Sequence, residues 1–347
     1  MRLSRRVALG AVFVCAVLFA GYVIRGGEDA EPLPGQPLRQ LARQRGLEIG
    51  TAVRGDVLKR IRAYRQTVAA QFSTVTPENE MKWYALQPRR GEYTFDAADA
   101  IVERARDAGQ KVRGHTLVWH FQLPDWVRRL GRDDLREATR EHIRTVMAHY
   151  KDDVGVWDVV NEPVSDDGSL RKSVFMRRLG PGYIADAFRT ARSADADAKL
   201  YVNEIGAGGI NAKSDRLYEL VRDLKAQGVP IDGVGFQAHL NLDGVPEGFV
   251  ANMQRFRALG LDVAITEADV GIPLPPDAAK LAAQARIYEQ IVRGCLAVEC
   301  RSLTFWGFTD GRSWISETQA GMGAATLLDE QLAPKPAFGA VQRALAG

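Results

Sequence analysis

From residue 38 onward the chain alternates between two patterns of apolar and polar positions. Short, nearly continuous apolar runs suit strands buried on both faces. They occur at 48–53, 70–74, 111–116, 156–160, 199–203, 233–237, 262–266 and 302–307. Between them lie amphipathic segments with apolar residues three and four apart, at 95–108, 133–150, 183–193, 214–227, 248–259 and 278–292. Eight strands alternating with helices predict an α/β protein whose parallel sheet closes into a (β/α)8 TIM barrel. The competing open, doubly wound sheet would carry a Gly-rich phosphate loop after its first strand. Thr51-Ala52-Val53-Arg54-Gly55 is not one.

The N-terminus follows a different rule. Arg2, Arg5 and Arg6 precede an uncharged, mostly apolar run over residues 7–24, and Glu28, Asp29 and Glu31 follow it. This layout predicts export, with the basic flank retained in the cytoplasm and the rest sent outward. A run of that length fits either a cleaved signal peptide or a membrane tether, and no small-x-small cleavage motif decides between them. Pro32, Pro34 and Pro37 mark a linker. The expected organisation is an export or anchor segment (1–25), a linker (26–37) and one barrel domain (38–347), acting as a monomer in the periplasm or outside the cell.

Charge changes meaning once it is located. The 347 residues carry a formal net charge of +3, with 46 Lys+Arg against 43 Asp+Glu. Four of the arginines (Arg2, Arg5, Arg6, Arg25) lie in the first 25 residues, so the body has 42 basic against 43 acidic residues. A body without basic surplus argues against nucleic acid as a partner. Of the three cysteines, Cys15 falls in the apolar run. Cys295 and Cys300 could close a short loop in an oxidising compartment or stay two buried thiols. A zinc pair would need a His or further Cys nearby, and there is none.

Barrel chemistry belongs at the C-terminal ends of the strands, and the out-of-place polar residues gather there. Glu162 and Glu267 each end an apolar run, on the fourth and seventh strands, so they can face each other across the mouth. A facing carboxyl pair, one protonated and one ionised, suits glycosidic bond cleavage. Asn161 is placed to bond a sugar 2-hydroxyl, and His239 and Asp269 to orient Glu267. Three of the five histidines (His115, His120, His239) lie at strand ends. A metal site could use His115, His239 and a carboxylate, but the surrounding Trp, Asn and Gln disfavour it. His142 and His149 read as packing or surface residues on a helix. Trp83, Trp119, Trp306 and Trp314 fall in strand-end loops, where flat aromatic faces suit a sugar ring. Trp157 reads as core, and Trp126 fits either role.

The segments Asn79-Glu80-Met81-Lys82-Trp83, Gly114-His115-Thr116-Leu117-Val118-Trp119-His120, Asp158-Val159-Val160-Asn161-Glu162-Pro163, Gln237-Ala238-His239 and Thr266-Glu267-Ala268-Asp269 together resemble glycoside hydrolase family 10. That family consists mainly of endo-β-1,4-xylanases on a (β/α)8 barrel. The resemblance implies a metal-independent, cofactor-free retaining hydrolase of xylan, with Glu162 as acid/base and Glu267 as nucleophile. It implies that His239 and Asp269 tune the nucleophile. Asn161, Gln237, His115 and Trp119 would contact the sugar being cleaved. Glu78, Asn79, Lys82 and Gln122 would hold the next sugar, under walls formed by Trp306 and Trp314. It also implies a Cys295–Cys300 disulfide. The alternatives are another retaining β-glycanase of the same clan or a catalytically silent sugar-binding barrel. One segment departs from the family: Asn203-Glu204-Ile205-Gly206 stands where Asn-Asp-Tyr-Asn is usual, which alters the leaving-group side rather than the chemistry.

Overall fold

The computed structural model describes residues 29–347; the expected export or anchor segment (1–25) lies outside them. Eight parallel strands close into a barrel in chain order. They are β1 (Glu48–Val53), β2 (Thr74–Pro77), β3 (Lys111–Trp119), β4 (Val156–Asn161), β5 (Lys199–Ile205), β6 (Gly233–Leu240), β7 (Asp262–Val270) and β8 (Ser302–Phe305). β8 returns to β1 with Ser302 opposite Glu48. Large buried aromatics on the strands fit because glycines on neighbouring strands make room. A Cβ on Gly114 would come within 2.1 Å of the Trp157 ring, and one on Gly233 within 2.3 Å of Tyr201.

The surrounding helices bury one stripe each. Helix Asp96–Asp107 buries Ala98, Ile101, Val102 and Ala105, the three-and-four spacing of an amphipathic helix. Helix Leu38–Gln44 packs against helix Pro336–Ala346, joining the two ends of the described chain. Part of the expected linker is docked on the barrel: Gln342 Nε2 donates to Pro34 O at 2.7 Å, and Ala30 N to Gln66 Oε1 at 2.7 Å. Among the described residues no helix is long and apolar enough to cross a membrane.

Three expectations are corrected. The second strand does not run over 70–74. Ala70 and Gln71 are the last turn of helix Arg62–Gln71, whose buried Tyr64, Thr67, Val68 and Gln71 keep a helical spacing, and the strand begins at Thr74. Trp83 is not a wall of the mouth. It is buried in the core, its ring 4.1 Å from that of His142 and nearly parallel to it. Cys295 and Cys300 are free, buried thiols, so the structure does not contain the disulfide. The turn that brings them together is closed by a backbone bond from Cys300 N to Cys295 O at 2.9 Å and needs no covalent link. Burial and the neighbouring Cys300 thiol push the Cys295 thiol well up.

Candidate active site

The strand ends open into a cleft of about 550 Å³. Glu267 lies within β7, 4% exposed. Its Oε1 accepts from Asn203 Nδ2 at 2.7 Å, and its Oε2 lies 3.1 Å from His239 Nε2. Burial alone would raise this carboxyl; the bond to His239 and the charges of His115 and His239, with Asn203 adding a donor, hold it below the usual range. Burial likewise works against a charged His239. Asp269 Oδ2, 3.0 Å from Nδ1, and Glu267 on the other side outweigh it and raise His239 to about 10. Asp269 is itself anchored by Trp314 Nε1 at 2.7 Å. It stands behind His239 rather than in the cleft wall.

Glu162 follows the last residue of β4 in a left-handed conformation, φ 54°, uncommon for a residue with a Cβ. Its peptide is fixed from both sides: Glu162 N donates to Asn203 O at 2.8 Å, and Arg171 Nε donates to Glu162 O at 2.9 Å. Its Oε1 faces two amide donors, Gln237 Nε2 at 3.2 Å and Asn161 Nδ2 at 3.3 Å. Asn161 Oδ1 in turn accepts from Asn203 Nδ2 at 2.9 Å. Both carboxylates are thus tied to one group of amides carried by β4, β5 and β6.

A second group lines the far side of the cleft. Lys82 Nζ donates to Gln122 Oε1 at 2.8 Å and Asn79 Oδ1 at 3.2 Å, and lies 4.9 Å from the Trp119 ring centre. Burial lowers the Lys82 ammonium and raises Glu78, which accepts from Asn79 at 3.2 Å. Trp306 and Trp314 complete the wall. Lys and amide donors framed by indole faces fit a sugar's hydroxyl rim and apolar faces.

Several participants escaped the sequence reading. Asn203, by sequence only part of the variant segment, donates to both Glu267 and Asn161. Asp158, buried on β4, accepts from His115 Nδ1 at 3.0 Å and from Arg113 Nε at 3.2 Å. Burial opposes its charge, but Arg113 and His115 hold it low. Its signal was an acid inside an apolar strand, which must be paired. Tyr84, Phe121, Ile205, Glu317 and Thr318 also line the cleft. Ile205 belongs to the variant segment at the end of β5, whereas nothing in the sequence marks the other four. In the variant segment, Glu204 is fully buried; its Oε2 accepts from Val164 N at 2.9 Å and its Oε1 lies 3.3 Å from Lys213 Nζ. Burial raises Glu204 to about 8, partly offset by Lys213.

The pattern of the family described as Glycosyl hydrolase family 10 matches residues 37–344. The chain belongs to that family. It is 45% identical to an endo-1,4-beta-xylanase of Agaricus bisporus over 78% of this chain and 82% of that protein. It is 40% identical to endo-1,4-beta-xylanase B of Thermotoga neapolitana over 88% of this chain and 90% of the relative. Among solved structures, xylanase 10B of Thermotoga petrophila in complex with xylobiose superposes with a TM-score of 0.88 at 40% identity, covering 91% of this chain and 98% of the other.

Proposed function

We propose that this family 10 member is a retaining endo-β-1,4-xylanase, with Glu267 as nucleophile and Glu162 as acid/base. The observation that carries the reading is the unequal support of the two carboxylates in one cleft. Glu267 is buried and kept ionised by His239, His115 and Asn203, whereas Glu162 is half-buried and meets the side-chain amides of Gln237 and Asn161. In the first step Glu267 Oε attacks the anomeric carbon as the bond to the leaving oxygen breaks, and Glu162 delivers its proton to that oxygen. Glu162, now a carboxylate, takes a proton from water. The water oxygen attacks the same carbon and releases Glu267. Asn161 is placed to bond the 2-hydroxyl, where contacts strengthen as positive charge develops on the ring.

The names of the matched relatives support xylan as substrate, and the Lys82–Gln122–Asn79 group supplies the hydroxyl contacts of the neighbouring sugar. Site of action is part of the proposal: the Arg-flanked apolar run at 7–24 supports export, with or without a retained tether. Proton NMR of the first products from xylohexaose tests the mechanism. β-Anomers should appear before mutarotation; α-anomers would mean inversion and overturn the nucleophile. Product profiles on xylan, cellulose and mannan test the substrate, and faster release of reducing ends from cellulose or mannan would overturn xylan.

A further inference from the structure

Beside the cleft, the turn after β3 and the segment after β4 enclose a second hollow of about 390 Å³, walled by His120, Arg128, Lys172, Ser173, Arg177 and Arg178. Its cations are not neutralised. Nearby arginines are paired, Arg129 with Asp125 at 3.6 Å and Arg140 with Asp186 at 2.6 Å. Among the described residues, Arg128, Lys172, Arg177 and Arg178 have no carboxylate within 4.0 Å. Two nitrogens in these walls, Arg178 Nη1 and His120 Nδ1, are buried with no hydrogen-bond partner. A buried donor left unpaired destabilises the fold, more so when charged, so its retention is unexplained by folding alone. Burial and the positive charges of Arg171, Arg128 and Lys213 push His120 down to about 4. Near neutrality it is an uncharged imidazole within a cationic wall.

The hollow is separate from the cleft and tied to it through the chain. His120 follows Trp119 of the cleft wall, and Lys172 follows Arg171, whose Nε holds the carbonyl of Glu162 at 2.9 Å. A group bound there therefore sits on the same rim as the acid/base. The body's near-zero net charge makes this concentration of unpaired cations a local device rather than a general surface property. Guanidinium groups favour planar carboxylates, to which they donate in pairs.

We propose that this hollow is an accessory subsite for a carboxylate carried on the substrate, a uronic acid side group on the xylan chain held in the cleft. The proposal rests on the cleft being the site of xylan cleavage.

The test compares the wild-type full chain with Arg128→Ala/Arg177→Ala and with Arg178→Lys on two substrates, glucuronic-acid-substituted xylan and unsubstituted xylohexaose. The double variant should lose about fivefold to tenfold in kcat/KM on the acidic substrate, as expected for two charge-assisted contacts at a partly exposed site. It should be unchanged on xylohexaose. The loss should shrink in about 0.5 M NaCl, and Arg178→Lys should keep most of the activity. Calorimetry with a uronosyl xylo-oligosaccharide, its uncharged counterpart and inorganic phosphate reads the subsite without turnover. Tighter binding of the acidic oligosaccharide, lost in the double variant, is the expected result. An equal fall on both substrates, no fall on either, or phosphate binding as tightly as the uronosyl sugar would overturn the proposal. Wild-type inactivity on both xylans would overturn the xylanase reading instead, while the calorimetry still judges the anion site.

Discussion

The barrel has a cavity at each end, and the two are nearly the same size. The mouth holds about 550 Å³; the base, ringed by the first residues of six strands (Glu48, Thr74, Lys111, Val156, Lys199 and Ser302), about 530 Å³. Volume therefore says little about which end works. At the base, the cations are exposed: Lys111 pairs with Glu48, which Arg301 also approaches at 3.4 Å. At the mouth, Glu267 is buried and Glu162 half-buried, and they meet side-chain amides and the His239 ring at fixed distances. Desolvated, pre-oriented groups interact far more strongly than hydrated ion pairs, and they cost no reorganisation when charge develops. Similar cavities differ in function because their polar groups differ in burial.

That contrast breaks most sharply at Glu267. Glu267→Ala should lower kcat on xylan by at least about 10⁴-fold, with the far-ultraviolet circular dichroism unchanged. Appreciable residual turnover would mean the mouth does not contain the nucleophile. Glu162→Ala should lose about 10²–10⁴-fold on xylan. Its glycosylation step should survive with aryl xylosides whose leaving groups need no proton, read as a burst of phenol in stopped-flow. A third expectation concerns the buried link between the two ends. Arg113→Met leaves Asp158 buried without its cation and should cost about 3–5 kcal/mol in urea unfolding. At the exposed base, Lys111→Ala should cost no more than about 1 kcal/mol and leave kcat untouched. A large catalytic loss from Lys111→Ala would erase the distinction between the ends.

The imidazole of His239 adds a pH signature. Its folded value lies above its unfolded one, so its stabilising contribution is complete below the ordinary histidine range and is lost as pH rises toward about 10. Glu267, shifted the other way, stabilises above the ordinary carboxylate range and less as pH falls below it. The unfolding free energy of wild type minus that of His239→Gln should shrink between pH 7 and 10; a difference that grows there would contradict the ion pair.

Much of this was legible in the sequence, and the gaps have physical reasons. The strand–helix alternation announced the barrel because strands covered on both faces are apolar throughout. The same rule truncated the strands in the reading. β3, β6 and β7 extend to Trp119, Leu240 and Val270, but His115, Gln237, His239, Glu267 and Asp269 interrupt the apolar pattern where the site begins. These polar interruptions located the chemistry and hid the strand ends. Glu162 and Glu267 stood out individually, whereas Asn203 did not, since one amide at a strand end carries no signal until its partners are placed. Trp83 misled because a short helix folds it back onto His142, a tertiary contact that local position does not encode.

The central claim is that Glu267 forms a covalent bond to the sugar. Incubating the enzyme with a xylobioside bearing fluorine at the 2-position of the reacting sugar and an activated aryl leaving group tests it directly, because the fluorine slows release of the glycosyl-enzyme more than its formation. Peptide mass spectrometry should find one glycosyl ester, on Glu267. A label on Glu162, or complete turnover of the aryl group with no adduct and an inverted product, would contradict the assignment.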